Sequence, residues 1–273
     1  MNLDELIRLA LVEDVGPGDV TTEACVPGDL QGKARVVARE PAVVAGQEAA
    51  GRVFALLGAR YTPAAADGTS VERGGLVGTA EGPVRALLTA ERTALNFLMR
   101  LSGIATWTRV HVQAARGAFA VVDTRKTTPL HRTLEKAAVR AGGGRNHRFA
   151  LYDGVLVKDN HIVAAQGIAE AVRRVRARTH HLLKVQVEVE GRDQALEALA
   201  AGADALLLDN MDDDALQALA KELAGRVVLE ASGGMTPERI ARLATLEVPI
   251  DFVSVGGLVH RARWVDFALD LEA

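Results

Sequence analysis

Leu183-Lys184-Val185-Gln186-Val187-Glu188-Val189, followed one helical pattern later by Ala205-Leu206-Leu207-Leu208-Asp209-Asn210, is the stretch that decides the fold. Each half is a short apolar run with a carboxylate at its end, and Asp193–Ala201 between them has helical periodicity. A strand that reaches the next strand through a helix is a parallel crossover unit. The pattern spreads outward from there. Phe119–Val122, Gly154–Val157, Val227–Leu229 and Phe252–Val255 are further strand candidates, with helical stretches at Ile162–Arg178, Asp212–Leu223 and Pro237–Leu243. Their ends read Asp123-Thr124-Arg125-Lys126, Lys158-Asp159-Asn160, Glu188, Asp209-Asn210, Ser232-Gly233-Gly234 and Gly256-Gly257. An open sheet binds at one switch point, whereas a β/α barrel gathers all its strand C-termini on one face. So many polar strand ends exceed one crevice. The expected class is α/β, with an open, incomplete barrel of about six β/α units.

Before that repeat the pattern is mixed. Leu3–Val12 reads as an amphipathic helix, Gly32–Arg39 as a strand and Gln47–Leu57 as a helix. A long helical stretch runs from about Arg85 to Ala115, where Ser102-Gly103 offers a break. The 273 residues carry a formal charge of −3, which argues against a general nucleic-acid binder. A single Cys25 excludes intrachain disulfides and cysteine-based zinc sites and fits a reducing cytoplasm. The chain has no long apolar run and does not open on a basic, then apolar leader, so neither membrane span nor signal peptide is expected.

Charge is concentrated locally. Arg125, Lys126, Arg132, Lys136, Arg140, Arg145 and Arg148 face one acid, Glu135, within a stretch broken by Thr127-Thr128-Pro129 and Gly142-Gly143-Gly144. Cations beside turn residues predict a folded pocket for a small, multiply charged anion. Only six of the 32 basic residues are lysines, so Lys126 and Lys158 at strand ends stand out as chosen ammonium groups. Arg132, Lys136 and Arg140 recur at helical spacing and read as the solvated face of a helix. Glu188 and Asp209 end consecutive strands, an arrangement that suits Mg²⁺, although helix capping or pairing with arginines would use the same positions. The Ser232-Gly233-Gly234 and Gly256-Gly257 turns offer backbone N–H groups to phosphate. His180-His181 reads as a surface turn, and a Schiff-base role for Lys158 suits its charged neighbourhood less well than anion contact. HExxH, P-loop, GxSxG and dinucleotide fingerprints are absent.

Several ordered blocks carry a more specific signal. Glu91-Arg92-Thr93-Ala94-Leu95-Asn96-Phe97-Leu98 with Leu101-Ser102-Gly103-Ile104-Ala105-Thr106 resembles the long helix of quinolinate phosphoribosyltransferases. Asp123-Thr124-Arg125-Lys126-Thr127-Thr128-Pro129, Gly142-Gly143-Gly144-Arg145-Asn146-His147-Arg148, Leu156-Val157-Lys158-Asp159-Asn160-His161, Leu208-Asp209-Asn210 and Glu230-Ala231-Ser232-Gly233-Gly234 follow in the same order as in that family. The resemblance implies an N-terminal α/β sandwich (1–105 with 261–273) beside a catalytic open barrel (106–260). It implies transfer of a phosphoribosyl group from phosphoribosyl pyrophosphate to quinolinate, with loss of CO₂, in NAD biosynthesis. It further implies a Mg²⁺ cofactor held by Glu188 and Asp209, and a cytoplasmic homodimer with shared active sites. Carried over residue by residue, Arg125, His147, Arg148 and Lys158, with Thr124 beside them, hold quinolinate, and Arg92 enters from the other subunit. Lys126, Glu188 and Asp209 meet the metal-bound pyrophosphate and ribose. Ser232, Gly233, Gly234, Val255, Gly256 and Gly257 form the phosphate turns. Gly257 and Arg261 depart from the family pattern, which has a small alanine and a small polar residue there.

Overall fold

The computed structural model describes residues 2–272, so Met1 and Ala273, the outermost residues of the expected sandwich domain, lie outside the described residues. The first elements are α1 (Leu3–Val15), α2 (Val20–Cys25), β1 (Gln31–Ala38), β2 (Ala42–Val43), α3 (Gln47–Leu56), β3 (Arg60–Pro63), β4 (Ser70–Val71), β5 (Leu76–Pro83) and α4 (Val84–Ala115). Then come β6 (Ala120–Val122), α5 (Arg132–Ala141), β7 (Val155–Val157), α6 (Asp159–Ala165), α7 (Ile168–Arg176), β8 (Val185–Val189), α8 (Arg192–Ala200) and β9 (Ala205–Asp209). The chain ends with α9 (Asp213–Leu223), β10 (Val228–Ser232), α10 (Pro237–Thr245), β11 (Phe252–Ser254), α11 (Gly257–His260) and β12 (Phe267–Glu272). Two compact units result, one from residues 2–109, 127–143 and 258–272, the other from 110–126 and 144–257.

The first unit is built on an antiparallel sheet in the order β12-β1-β5-β3. Val36, Ala38, Val77, Ala80 and Phe267 on its strands are buried with Ile7, Val53, Phe54, Leu87, Leu95 and Leu98 from the helices. α1 starts on a capping box, in which Glu5 N donates to Asn2 Oδ1 (2.9 Å) and Asn2 N donates to the Glu5 carboxylate (2.8 Å). α4 is continuous through Ser102-Gly103 for 32 residues, against the break expected there. Gly103 serves a close approach instead, since a Cβ on it would lie 2.1 Å from the Arg263 carbonyl oxygen. A second correction concerns α5. Lys136 is 1% exposed and Arg132 half-buried, so of the three cations read as a solvated face only Arg140 is exposed. Glu135, equally buried, receives the Arg100 guanidinium (3.1 Å) and the Thr128 N–H and hydroxyl (both 2.8 Å).

The second unit is a parallel sheet in the order β6-β11-β10-β9-β8-β7 with helices between its strands. That order is the one a closing barrel has, with β6 and β7 left unpaired at the opening. A single bridge joins Val122 to Arg145, so the 145–148 segment starts along the free edge of β6. Leu206–Leu208 on β9 are buried, the continuous apolar pattern of a parallel strand covered on both faces, whereas on β8 buried Val185, Val187 and Val189 alternate with Gln186 and Glu188. The helix expected over Ile162–Arg178 is two helices, α6 and α7, parted at Gln166-Gly167. β10 runs on to Ser232, three residues past the predicted end.

Candidate active site

Register in a parallel sheet fixes which side chains share a face. Val157 pairs with Val187, Glu188 with Leu207, and Asp209 with Ser232. By alternation Lys158, Glu188, Asp209 and Ser232 come to the same face at the C-terminal ends of β7 to β10. The Lys158 ammonium is bonded to the Glu188 carboxylate, as that placement requires. Asp209 stays half-exposed and takes the amide of Asn210 (2.6 Å).

The cations gather at the opening. Arg125 follows β6, and its Nε is buried with no hydrogen-bond partner among the described residues. Arg148 donates to the Gly154 carbonyl (2.8 Å). Burial, and then the nearby Arg125 charge, lowers the Arg148 pKa from its ordinary value. The Asp153 carboxylate offsets part of that effect, and two neighbouring guanidinium groups suit an anion. His147 sits beside them. Its backbone N–H donates to Asp123 Oδ1 (2.8 Å), and Asn146 donates to the other oxygen of that fully buried carboxylate (2.6 Å). Burial works against a charged His147 ring, but Glu230 and then Gln186 outweigh it and raise the imidazole pKa.

The turns form the other wall. Gly233 has φ +88°, and a Cβ there would fall 2.2 Å from Asn210 Oδ1. Only glycine lets the β10 turn fold against the residue after Asp209. A Cβ on Gly256 would lie 3.0 Å from Lys126 Nζ, so the Lys126 ammonium lies against the turn that follows β11. Thr124 Oγ1 accepts the Lys126 N–H (3.1 Å), and the Val255 N–H donates to the Val122 carbonyl (3.0 Å). Gly257 opens α11. Ser232, Gly233, Gly234, Val255 and Gly256 thus frame two turns with Lys126 at one of them, an arrangement suited to phosphate.

Of the expected residues, Thr124, Arg125, Lys126, His147, Arg148, Lys158, Glu188, Asp209 and both glycine turns lie in the barrel unit. Arg92 lies on α4 in the other unit and is exposed. Sequence reasoning missed four positioning residues. Asp123 anchors the 146–147 backbone, and Gln186 with Glu230 meets the His147 ring. Arg239 donates to the Gly233 carbonyl (2.6 Å), the Met211 carbonyl and Asp213 (2.8 Å), bracing the loops after β9 and β10. The signal for two of them was present: Gln186 and Glu230 are polar residues flanked on both sides by apolar ones within their strands.

Residues 19–102 match the quinolinate phosphoribosyl transferase N-terminal domain, and residues 104–270 match its C-terminal domain. The chain belongs to the quinolinate phosphoribosyltransferase family. A family member from Mycobacterium leprae, nicotinate-nucleotide pyrophosphorylase [carboxylating], is 41% identical over 98% of this chain and 96% of its own. The probable nicotinate-nucleotide pyrophosphorylase [carboxylating] of Bacillus subtilis is 39% identical over 99% and 94%. The crystal structure of NadC from Streptococcus pyogenes superposes with a TM-score of 0.94 at 41% identity, covering 99% of this chain and 96% of that one.

The family reading suits the donor set at the strand ends. Glu188 and Asp209 place two carboxylates on neighbouring strands, a donor set that would suit Mg²⁺ with substrate phosphates and water completing its shell. Among the described residues no group of three or more His, Cys, Asp or Glu side chains converges on one point.

Proposed function

We propose that the chain is a nicotinate-nucleotide pyrophosphorylase (carboxylating). It joins quinolinate to phosphoribosyl pyrophosphate and releases nicotinate mononucleotide, pyrophosphate and CO₂ in NAD biosynthesis. The single observation that carries this reading at the site is Arg125, whose buried Nε has no hydrogen-bond partner among the described residues, close enough to Arg148 for each cation to disfavour the other. Two neighbouring guanidinium groups suit an acceptor that carries two carboxylates.

The residues divide the work. Arg125, Arg148 and Lys158 hold the two carboxylates and aim the pyridine nitrogen at the anomeric carbon of the ribose. The N–C bond forms as the C–O bond to pyrophosphate breaks, and that electron pair leaves with pyrophosphate. Lys126 and the turns at 232–234 and 255–257 stabilise the departing charge. Glu188 and Asp209 would hold Mg²⁺, which supplies Lewis-acid stabilisation of the pyrophosphate oxygens when bound. The alkylated ring is cationic, so the C–CO₂⁻ bond breaks with its electrons flowing into the ring. CO₂ leaves as that bond breaks, and the ring carbon then takes a proton from water. No covalent enzyme intermediate is needed, and failure of borohydride to trap substrate on Lys158 is the expected result.

The proposed division of labour gives 106–260 the chemistry and 1–105 with 261–273 the completion of a partner's site. A cytoplasmic homodimer in which Arg92 enters the neighbour's site fits that division. Exposed Leu9, Val12 and Val20 on α1 and α2 supply apolar surface for a second copy to cover, which supports the dimer. Mixed dimers of Arg92→Ala and Lys158→Ala subunits are expected to recover one intact site, and no recovery in verified mixed dimers would remove Arg92 from the reading. Among the described residues no helix is long and apolar enough to cross a membrane.

The deciding assay supplies Mg²⁺, phosphoribosyl pyrophosphate and carboxyl-labelled quinolinate, with nicotinate in parallel. Equal amounts of CO₂ and nucleotide from quinolinate alone are expected. Nucleotide from nicotinate without CO₂ would overturn the substrate assignment.

A further inference from the structure

Below the strand ends of the barrel, polar side chains meet where apolar ones would fill the space at lower cost. Gln186 on β8 is 8% exposed and Glu230 on β10 is 4% exposed. β9 runs between them, and it places Ala205 opposite Gln186. Glu230 pairs with Leu207, two residues further along β9, so the glutamine and the glutamate lean toward each other diagonally across two strand spacings of about 5 Å each. Gln186 Nε2 donates to Glu230 Oε2 at 2.9 Å. The imidazole of His147 closes the group, with its Nε2 3.1 Å from Gln186 Oε1 and 3.5 Å from Glu230 Oε2. Its other nitrogen, Nδ1, accepts the backbone N–H of Arg148 at 2.7 Å.

These contacts assign the ring. A nitrogen that accepts an N–H carries no proton, so the neutral ring has its proton on Nε2, facing Gln186 and Glu230. The chain of contacts then runs from a buried carboxylate through the imidazole into the main chain of Arg148. The backbone of His147 is fixed independently by Asp123. Ring rotation is therefore the freedom left, and Glu230 with Gln186 removes it.

We propose that Glu230, assisted by Gln186, is a positioning residue that locks the tautomer and orientation of His147 and, through Nδ1, sets the backbone of Arg148 for the acceptor's carboxylate. Glu230 itself does not touch substrate. The inference rests on the reading of Arg148 as a quinolinate ligand. The upward push of Glu230 on the imidazole pKa agrees with a close contact. The 2.7 Å bond at Nδ1 decides which nitrogen carries the proton when the ring is neutral, because a protonated Nδ1 could not accept it.

The experiment compares wild type, Glu230→Gln, His147→Ala and the double variant at pH above the His147 transition, with ¹⁵N-histidine NMR on the first two. In wild type His147 is expected to show the neutral Nε2–H signature, and Glu230→Gln to convert it to a tautomer mixture. The quinolinate KM of Glu230→Gln is expected to rise about tenfold while the phosphoribosyl pyrophosphate KM stays within about twofold. On the His147→Ala background Glu230→Gln is expected to add almost nothing. An unchanged His147 signature, equal rises in both KM values, or additive effects would overturn the proposal and leave Glu230 a packing residue. Should Glu230→Gln fold poorly, Gln186→Leu in the same NMR comparison decides the same point. No turnover of quinolinate by wild type would sink the functional reading instead, and the NMR signature would still decide the link from Glu230 to His147.

Discussion

Gly233 concentrates two constraints in one residue. Its φ of +88° lies where a side chain is strained, and a Cβ would strike Asn210 beside the Asp209 strand end. Gly233→Ala is expected to cost about 1–3 kcal/mol of stability. The displaced turn should also raise the KM for phosphoribosyl pyrophosphate about tenfold with little change for quinolinate. Steady-state kinetics with each substrate varied checks the split, and equal effects on both would detach the turn from phosphate. Glu230 gives a pH prediction at the same scale. Burial pushes its carboxyl up, but the His147 ring, followed by Gln186, holds it below its usual value. Stability from this group is therefore present above about pH 4.5 and is lost as pH falls through the lower folded value. The melting temperatures of wild type and Glu230→Gln should differ at pH 6 and converge as acidification takes the carboxyl through its lowered folded value. A constant gap would remove the carboxylate from the account. Strand-end residues such as Lys158, Glu188 and Asp209 were legible because a polar residue closing an apolar run announces itself. Asp123 and Arg239 were not, since what they hold, the His147 backbone and the loops after β9 and β10, is brought to them only by the fold.

At the scale of elements, the strands of the parallel sheet and the longer helices followed their periodicity, and two misreadings arose where a residue had a tertiary duty. Gly103 looked like a helix break because glycine weakens an isolated helix by about 1 kcal/mol. It is retained because the Arg263 carbonyl passes where a methyl would stand. Gly103→Ala, which ought to strengthen α4 on propensity alone, is expected instead to destabilise by about 3 kcal/mol or more through overpacking. Urea denaturation checks the sign, and a neutral or stabilising result would mean the two backbones can separate freely. Lys136 misled in the opposite direction. Its spacing with Arg132 and Arg140 reads as a wet face, yet it is buried on α5 beside Glu135. Helical spacing cannot tell a solvated cation from one buried with partners. β3, β4 and β5 escaped because they are short or carry Gly78 and Gly82, which dilute the period-2 pattern.

For the whole molecule, chain order and spatial order diverge. The first unit is assembled from three separate stretches, with the barrel inserted between them. Residues 2–109 alone lack β12, whose register runs from Lys33↔Glu272 to Ala38↔Phe267 along β1. Without β12 the edge of β1 is open to pairing with other chains. The fragment also loses Phe267, 3% exposed in the core, and truncation of a buried phenylalanine to alanine already costs about 3–5 kcal/mol. Against a total stability of about 5–15 kcal/mol for a domain, that loss leaves little margin. A fragment spanning residues 1–109 is therefore expected to show no cooperative unfolding transition and to associate at its β1 edge. Fusing residues 265–272 through a flexible linker should restore a sigmoidal denaturation curve. A sharp transition from the unaided fragment would mean that the core of α1, α3 and β1 to β5 suffices. The C-terminal strand would then serve assembly rather than folding.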